Sequence, residues 1–183
     1  MSDLPKFVHI NEEGPREGFQ IEKGPISTER KVELIDALSE TGLSQIQVAS
    51  FVNPKRVPGW ADADEVVQRF RPKEGVRYTA LWLNDKGLIR ALGHAPKLTV
   101  KGSISLTASE KFLLRNQRRT LAENVEAQRG MIQLYRDNGV AVERASIMAA
   151  FGCNFEGDIP TERVLEMVRT IMELGDEFDL TIK

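Results

Sequence analysis

The chain has 183 residues, 41% of them hydrophobic and 28% charged, which are the proportions of a globular protein with a core of ordinary size. Its 25 basic and 27 acidic side chains leave a formal charge of -2, which argues against a general nucleic-acid binder working through a basic surface. No apolar stretch is long enough to span a bilayer, no secretory signal opens the chain, and the lone Cys153 excludes an internal disulfide. A cytoplasmic protein with no nucleic-acid and no membrane partner is expected.

β-rich runs alternate with helical periodicities. Phe7-Val8-His9-Ile10 reads as a short first strand, and Gly14-Pro15 and Gly18 read as turn punctuation that a strand interior would not tolerate. The polar cluster from Asn11 to Gln20, with Arg16 and Glu17 at its centre, therefore falls at the carboxyl end of a strand. Residues 27–38 form a helix with a capping serine, Ser27, at its start and Gly42 just past its end. Gln45 to Val52 is a second strand, Ala61 to Phe70 a second helix, and Tyr78 to Leu83 a third strand followed by a short helix near Asp85 to Leu92. Leu98 to Ile104 is the fourth strand. Leu121, Val125, Ile132 and Tyr135 keep helical spacing until Asn138-Gly139 stops them, and Val140 to Ala150 makes a fifth strand. The last helix runs from about Pro160 to Gly175, and Phe178 to Ile182 reads as a sixth strand.

Such alternation indicates parallel βαβ units, closed as a barrel or open as a doubly wound sheet. The polar residues favour the barrel, because they follow several different strands: Arg16 and Glu17 the first, Ser50 and Lys55 the second, Asn84 the third, Ser109 and Asn116 the fourth, Cys153 and Asn154 the fifth. No glycine-rich phosphate fingerprint follows the first strand, so a Rossmann dinucleotide site is not expected. The expected fold is α/β, a (β/α)8 TIM barrel with about six βα units present, as one domain over residues 1–183 that is incomplete at its C-terminal end. Basic residues from Arg115 to Arg119 form a local patch suited to an anion.

Two segments carry a specific resemblance. Glu12-Glu13-Gly14-Pro15-Arg16-Glu17-Gly18-Phe19-Gln20 looks like the first-strand signature of the 3-hydroxy-3-methylglutaryl-CoA lyase-like family, which shares its barrel with the pyruvate carboxyltransferase domains. Ser50-Phe51-Val52-Asn53-Pro54-Lys55-Arg56-Val57-Pro58 is similar to that family's second-strand segment. Weaker matches follow in order at Leu83-Asn84, at Ser109-Glu110-Lys111-Phe112 with Asn116, and from Phe151 to Gly157.

The resemblance implies a metal-dependent acyl-CoA lyase that splits a 3-hydroxyacyl-CoA between C2 and C3, giving acetyl-CoA and a keto acid. Bond breaking requires the 3-hydroxyl to lose its proton and the thioester enolate to be stabilised, tasks suited to a divalent ion and a fixed guanidinium. By this resemblance Arg16 polarises the thioester carbonyl, Glu17 is a ligand of Mg2+ or Mn2+, and Gln47 stands at a catalytic second-strand position. Gln20, Ser50, Lys55 and Asn84 are expected to bind substrate, Lys55 being open between a solvated loop cation and a contact with a CoA phosphate. An acyl-CoA substrate and a homodimer are the expected partners. The chain departs from the family pattern in having Glu17 for an aspartate and Gln47 for a glutamate; an amide cannot accept a proton as a carboxylate does. The family's paired histidine ligands belong to a seventh strand, expected beyond Lys183. An alternative from another class is a non-catalytic partial barrel that binds an acyl-CoA or a protein partner.

Overall fold

The computed structural model describes residues 4–182, and the chain divides into two compact units, Met1–Val100 and Lys101–Lys183. The first contains β1 (Asn11–Glu12), α1 (Gly14–Ile21), α2 (Thr28–Ser39), β2 (Gln45–Ser50), a 3-10 turn at Pro58–Trp60, α3 (Ala63–Arg69), β3 (Arg77–Leu81) and α4 (Asp85–Leu92). Its three strands are parallel in the order β1-β2-β3, with β2 central. Ile46, Val48, Ala49, Tyr78 and Ala80 join Ile35 of α2 and Val66 and Val67 of α3 in one buried apolar cluster, so the helices cover one face of this sheet.

Local chemistry explains where these helices start. Ser27 accepts the Arg30 N–H at 3.4 Å and Asn84 accepts the Gly87 N–H at 2.9 Å, each satisfying an amide that the first helical turn leaves without an intrahelical partner. Lys31 of α2 is buried; its ammonium donates to Asp62 Oδ1 at 2.6 Å and to the Gly59 carbonyl at 2.5 Å, and it lies 5.1 Å from the Trp60 ring centroid. The 3-10 turn is thereby fixed beside α1. A Cβ at Gly59 would come within 2.4 Å of the Phe19 carbonyl oxygen, so only glycine permits this approach.

The second unit contains β4 (Gly102–Thr107), α5 (Glu110–Gln117), α6 (Leu121–Asp137), β5 (Val142–Met148) and α7 (Thr161–Glu177), with β4 parallel to β5. Thr120 and Glu123 form a reciprocal capping box on α6. Both long helices end alike. The Val140 N–H returns to the Tyr135 carbonyl at 2.8 Å around Gly139, and the Leu180 N–H returns to the Gly175 carbonyl at 2.8 Å around Asp179, both turning residues having positive φ.

Several expectations require correction. The structure is α/β with parallel strand pairing, but the described residues form a three-stranded and a two-stranded sheet and no closed barrel. Five strands are present among them, so the barrel of about six units is not what they form. Phe7, Val8 and Ile10 are exposed and unpaired in any ladder, and β1 begins after them and is two residues long. Phe178 to Ile182 is no strand: the Leu180 N–H closes the end of α7, and among the described residues no strand pairs with this run. Gly14-Pro15 opens helix α1 rather than a turn, proline being accepted in a first helical turn where its missing N–H costs nothing. The run from Arg115 to Arg119 spans the end of α5 and its connection to α6.

Removing the buried ammonium leaves Asp62 and the Gly59 carbonyl without their donor. Lys31→Ala is expected to lower stability by about 3–5 kcal/mol in chemical denaturation, against less than 1 kcal/mol for removing an exposed cation such as Arg30, roughly the difference between buried and surface pairs.

Candidate active site around Arg16

Arg16 lies on α1 at the carboxyl end of β1, with its side chain 10% exposed under two carboxylates that are each about half exposed. All three guanidinium nitrogens are engaged. Nε donates to Gln47 Oε1 at 2.5 Å, one terminal nitrogen donates to Glu13 Oε2 at 2.8 Å, and the other pairs with Glu17 Oε1. The Arg16 carbonyl accepts the Trp60 indole N–H at 2.9 Å, so the 3-10 turn that Lys31 secures also holds the backbone of the site. Arginine has five N–H donors. The three interactions use three of them and leave two for a ligand.

The sheet contributes a polar layer beside this arginine. Gln47 is opposite Thr79, and Ser50 is opposite Leu81, while the register shifts between Gln47 and Ala49 so that Val48 is an extra residue on β2. Thr79 and Leu81 are two apart and point the same way; Gln47 and Ser50, three apart, therefore share that face as well. The face is opposite to the helix-packed one. Among the described residues, Ser50 Oγ and Thr79 Oγ1 are buried with no hydrogen-bond partner, and Ser50 is completely inaccessible.

Of the residues expected from sequence, Arg16, Gln47 and Glu17 are brought together, and Ser50 lies on the same sheet face as Gln47. Gln20, one helical turn beyond Arg16, is exposed. Lys55 is exposed in the loop after β2, where its backbone N–H donates to Asn53 Oδ1 at 3.0 Å, and Asn84 is occupied as the cap of α4. Neither belongs to the Arg16 network. Sequence reasoning gave no role to Glu13, Trp60 or Thr79. Glu13 had a signal, since it stands three residues before Arg16 and reaches it once residues 14–21 are seen as helical.

The described residues do not by themselves build a metal shell. No group of three or more His, Cys, Asp or Glu gathers among them, and the Glu17 oxygen that would ligate an ion is paired with Arg16. Mg2+ and Mn2+ ask for about six oxygen donors.

The second unit has a separate polar cluster. Ser109, fully buried, caps α5 by accepting the Phe112 N–H at 3.1 Å and donates to Glu156 Oε2 at 2.7 Å; Cys153 Sγ is 3.1 Å from the same hydroxyl. The Lys111 N–H also donates to Glu156, at 3.2 Å. These donors, the Ser109 hydroxyl foremost, hold the Glu156 carboxyl below its ordinary range, and the Ser109 hydroxyl likewise lowers the Cys153 thiol. Arg115 stacks over Phe155 at 4.8 Å, beside Lys111, Leu114 and Asn154, in a shallow groove carrying two cations.

The HMGL-like family model matches residues 8–178. The mitochondrial hydroxymethylglutaryl-CoA lyase of Rattus norvegicus is 37% identical over 175 residues, covering 96% of this chain and 53% of its own length. The 3-hydroxy-3-isohexenylglutaryl-CoA/hydroxy-methylglutaryl-CoA lyase of Pseudomonas aeruginosa is 37% identical over 94% of this chain and 56% of its own length. A cytoplasmic 3-hydroxy-3-methylglutaryl-CoA lyase of Mus musculus is 38% identical over 94% of this chain and 49% of its own. The chain thus spans about half the length of these relatives. The crystal structure of the Pseudomonas aeruginosa hydroxymethylglutaryl-CoA lyase superposes with a TM-score of 0.82 at 36% identity, covering 95% of this chain and 57% of that one. An Acinetobacter baumannii HMG-CoA lyase in complex with coenzyme A and 3-methylmalate gives 0.80 at 30% identity, covering 96% of this chain and 56% of that one.

Because the folded value of Glu156 is depressed, its contribution to stability is complete above the unfolded carboxylate value and is lost as pH falls through the folded one. Ser109→Ala is expected to return the Glu156 titration, followed by carbon-detected NMR, toward the ordinary range and to weaken the acid-side loss of stability.

Proposed function

The chain belongs to the HMGL-like family, and from that membership we propose that it serves a carbon-carbon lyase that splits a 3-hydroxyacyl-CoA, 3-hydroxy-3-methylglutaryl-CoA or a close ester of it, into acetyl-CoA and a keto acid. The observation that carries this reading is a buried guanidinium with two donors to spare, at the carboxyl end of a parallel sheet, beside half-exposed carboxylates and an amide. Support for the substrate class comes from relatives named as lyases of such esters and from a structural neighbour that holds coenzyme A.

Cleavage moves the C2–C3 bonding pair onto the thioester as an enolate while the 3-hydroxyl becomes a carbonyl and gives up its proton. In this proposal Arg16 directs its two remaining N–H donors at the thioester oxygen, where negative charge grows. Glu13 and Glu17 fix the plane of that guanidinium from the solvent side and Gln47 fixes it from the sheet side. Gln47 holds Arg16 without being able to take the hydroxyl proton, so proton acceptance falls to a carboxylate of this cluster. Gln20 and Ser50 are proposed to orient the acyl group. Lys55 is proposed as a contact for a CoA phosphate, suited to it as a cation, and Asn84 is retained as a substrate contact through its side-chain N–H2.

A divalent ion, Mg2+ or Mn2+, would stabilise the developing charge when bound; Glu17 would be one of its ligands, and it needs further donors that the described residues do not gather. The relatives' names include cytoplasmic and mitochondrial forms, and a cytoplasmic location is proposed on the sequence alone. A homodimer is proposed as well; light scattering at micromolar concentration is expected to give twice the chain mass.

Acetyl-CoA release from a panel of 3-hydroxyacyl-CoA esters tests the assignment, and cleavage of none of them would overturn it. Arg16→Lys, which keeps the charge but loses the fork, is expected to lower kcat by about 100- to 1,000-fold, the scale for removing a donor from a developing oxyanion.

A further inference from the structure

We infer that Glu13 is the base of this site, taking the proton of the substrate 3-hydroxyl and later giving it to C2 of the enolate. The inference rests on the lyase reading above and names which carboxylate of the cluster acts. Glu13 joins β1 to α1 at the carboxyl end of the strand, and its side chain makes no capping bond to the helix it precedes. It turns instead to Arg16, to which Oε2 is bonded at 2.8 Å, while Oε1 has no hydrogen-bond partner among the described residues. Exposure sets it apart as well. The Arg16 side chain is 10% exposed and that of Glu13 is 49% exposed, so a ligand arriving from water meets the carboxylate before the guanidinium. The neighbouring groups are committed elsewhere. Glu12 Oε1 accepts the Gly14 N–H, the Gln47 amide cannot take a proton, and Glu17 pairs with Arg16 and is the proposed metal ligand.

The guanidinium brings the proton to its acceptor. Arg16 Nη2, which holds Glu13, has a second N–H, and two acceptors on one guanidinium nitrogen lie about 5 Å apart by ordinary bond lengths and its planar fork. The carbonyl and 3-hydroxyl oxygens of a 3-hydroxyacyl thioester can approach to about 3 Å, an ordinary hydrogen-bond distance. With the carbonyl on Nη2, the hydroxyl therefore falls between it and Glu13, within reach of the carboxylate. Loss of the hydroxyl proton to Glu13 forms the ketone as the C2–C3 bond breaks and its electron pair moves onto the thioester as an enolate. Return of that proton to C2 completes acetyl-CoA and restores the carboxylate. Charge favours the transfer: Arg16 with Glu13 and Glu17 is formally -1, and becomes neutral as the enolate charge appears beside it.

Acetyl-CoA release by the full chain, from whichever 3-hydroxyacyl-CoA ester it cleaves fastest, tests this. Glu13→Gln keeps an oxygen for Arg16 but cannot accept the proton, and is expected to lower kcat by about 100-fold or more with KM nearly unchanged, the scale of a lost general base. Its melting temperature is expected to stay level, because a half-exposed ion pair contributes little to folding. Glu13→Ala is expected to regain rate in added formate, a small carboxylate that can enter the vacated space and take the proton, whereas Glu17→Ala is expected not to respond. A Glu13→Gln variant with the kcat of wild type, or a Glu13→Ala variant indifferent to formate, would overturn Glu13 as the base while leaving the lyase reading intact. A wild type that cleaves none of the esters would overturn both.

Discussion

The buried ammonium of Lys31 is the constraint on which the first unit's site depends. It joins α2 to the Gly59 carbonyl and Asp62, and lies against the ring of Trp60, whose indole N–H reaches the Arg16 carbonyl. A charge in that position requires complete pairing, since an uncompensated buried ammonium is far costlier than an apolar substitute. Its partners therefore have little freedom. The 3-10 turn is fixed, α1 is fixed against the turn, and the arginine enters the site from a backbone that is held through its carbonyl.

A second constraint acts from the sheet side. Gln47 couples Arg16 to the central strand, and the central strand of a parallel sheet is bonded along both edges. The guanidinium is thus anchored to the central strand of its unit and capped by carboxylates that remain half in water. This combination gives a buried cation that is fixed in direction beneath carboxylates open to water.

Much of the helical structure was legible because caps are local. Ser27, Asn84, Thr120 with Glu123, and Gly139 mark helix ends through hydrogen bonds spanning only a few residues. Strands were less legible, for the opposite reason. Phe7 to Ile10 and Phe178 to Ile182 have strand composition, but a strand exists only where a partner accepts its ladder, and neither run has one among the described residues. The pairing of Arg16 with Gln47 could be anticipated only through family resemblance, as 31 residues separate them. Glu13 was hidden by reading Gly14-Pro15 as a turn, and the side of the sheet on which Ser50 lies was hidden by the irregularity at Val48.

That irregularity has a consequence for how this strand can change over time. Because Val48 is the unmatched residue, both it and Ala49 pack into the helix-covered core, where each is fully inaccessible. A related chain lacking this one position would have a regular strand one residue shorter, and its equivalents of Gln47 and Ser50 would still stand side by side. Length variation here is absorbed by the core layer, so the polar layer can be inherited unchanged even when residue spacing along the strand is not.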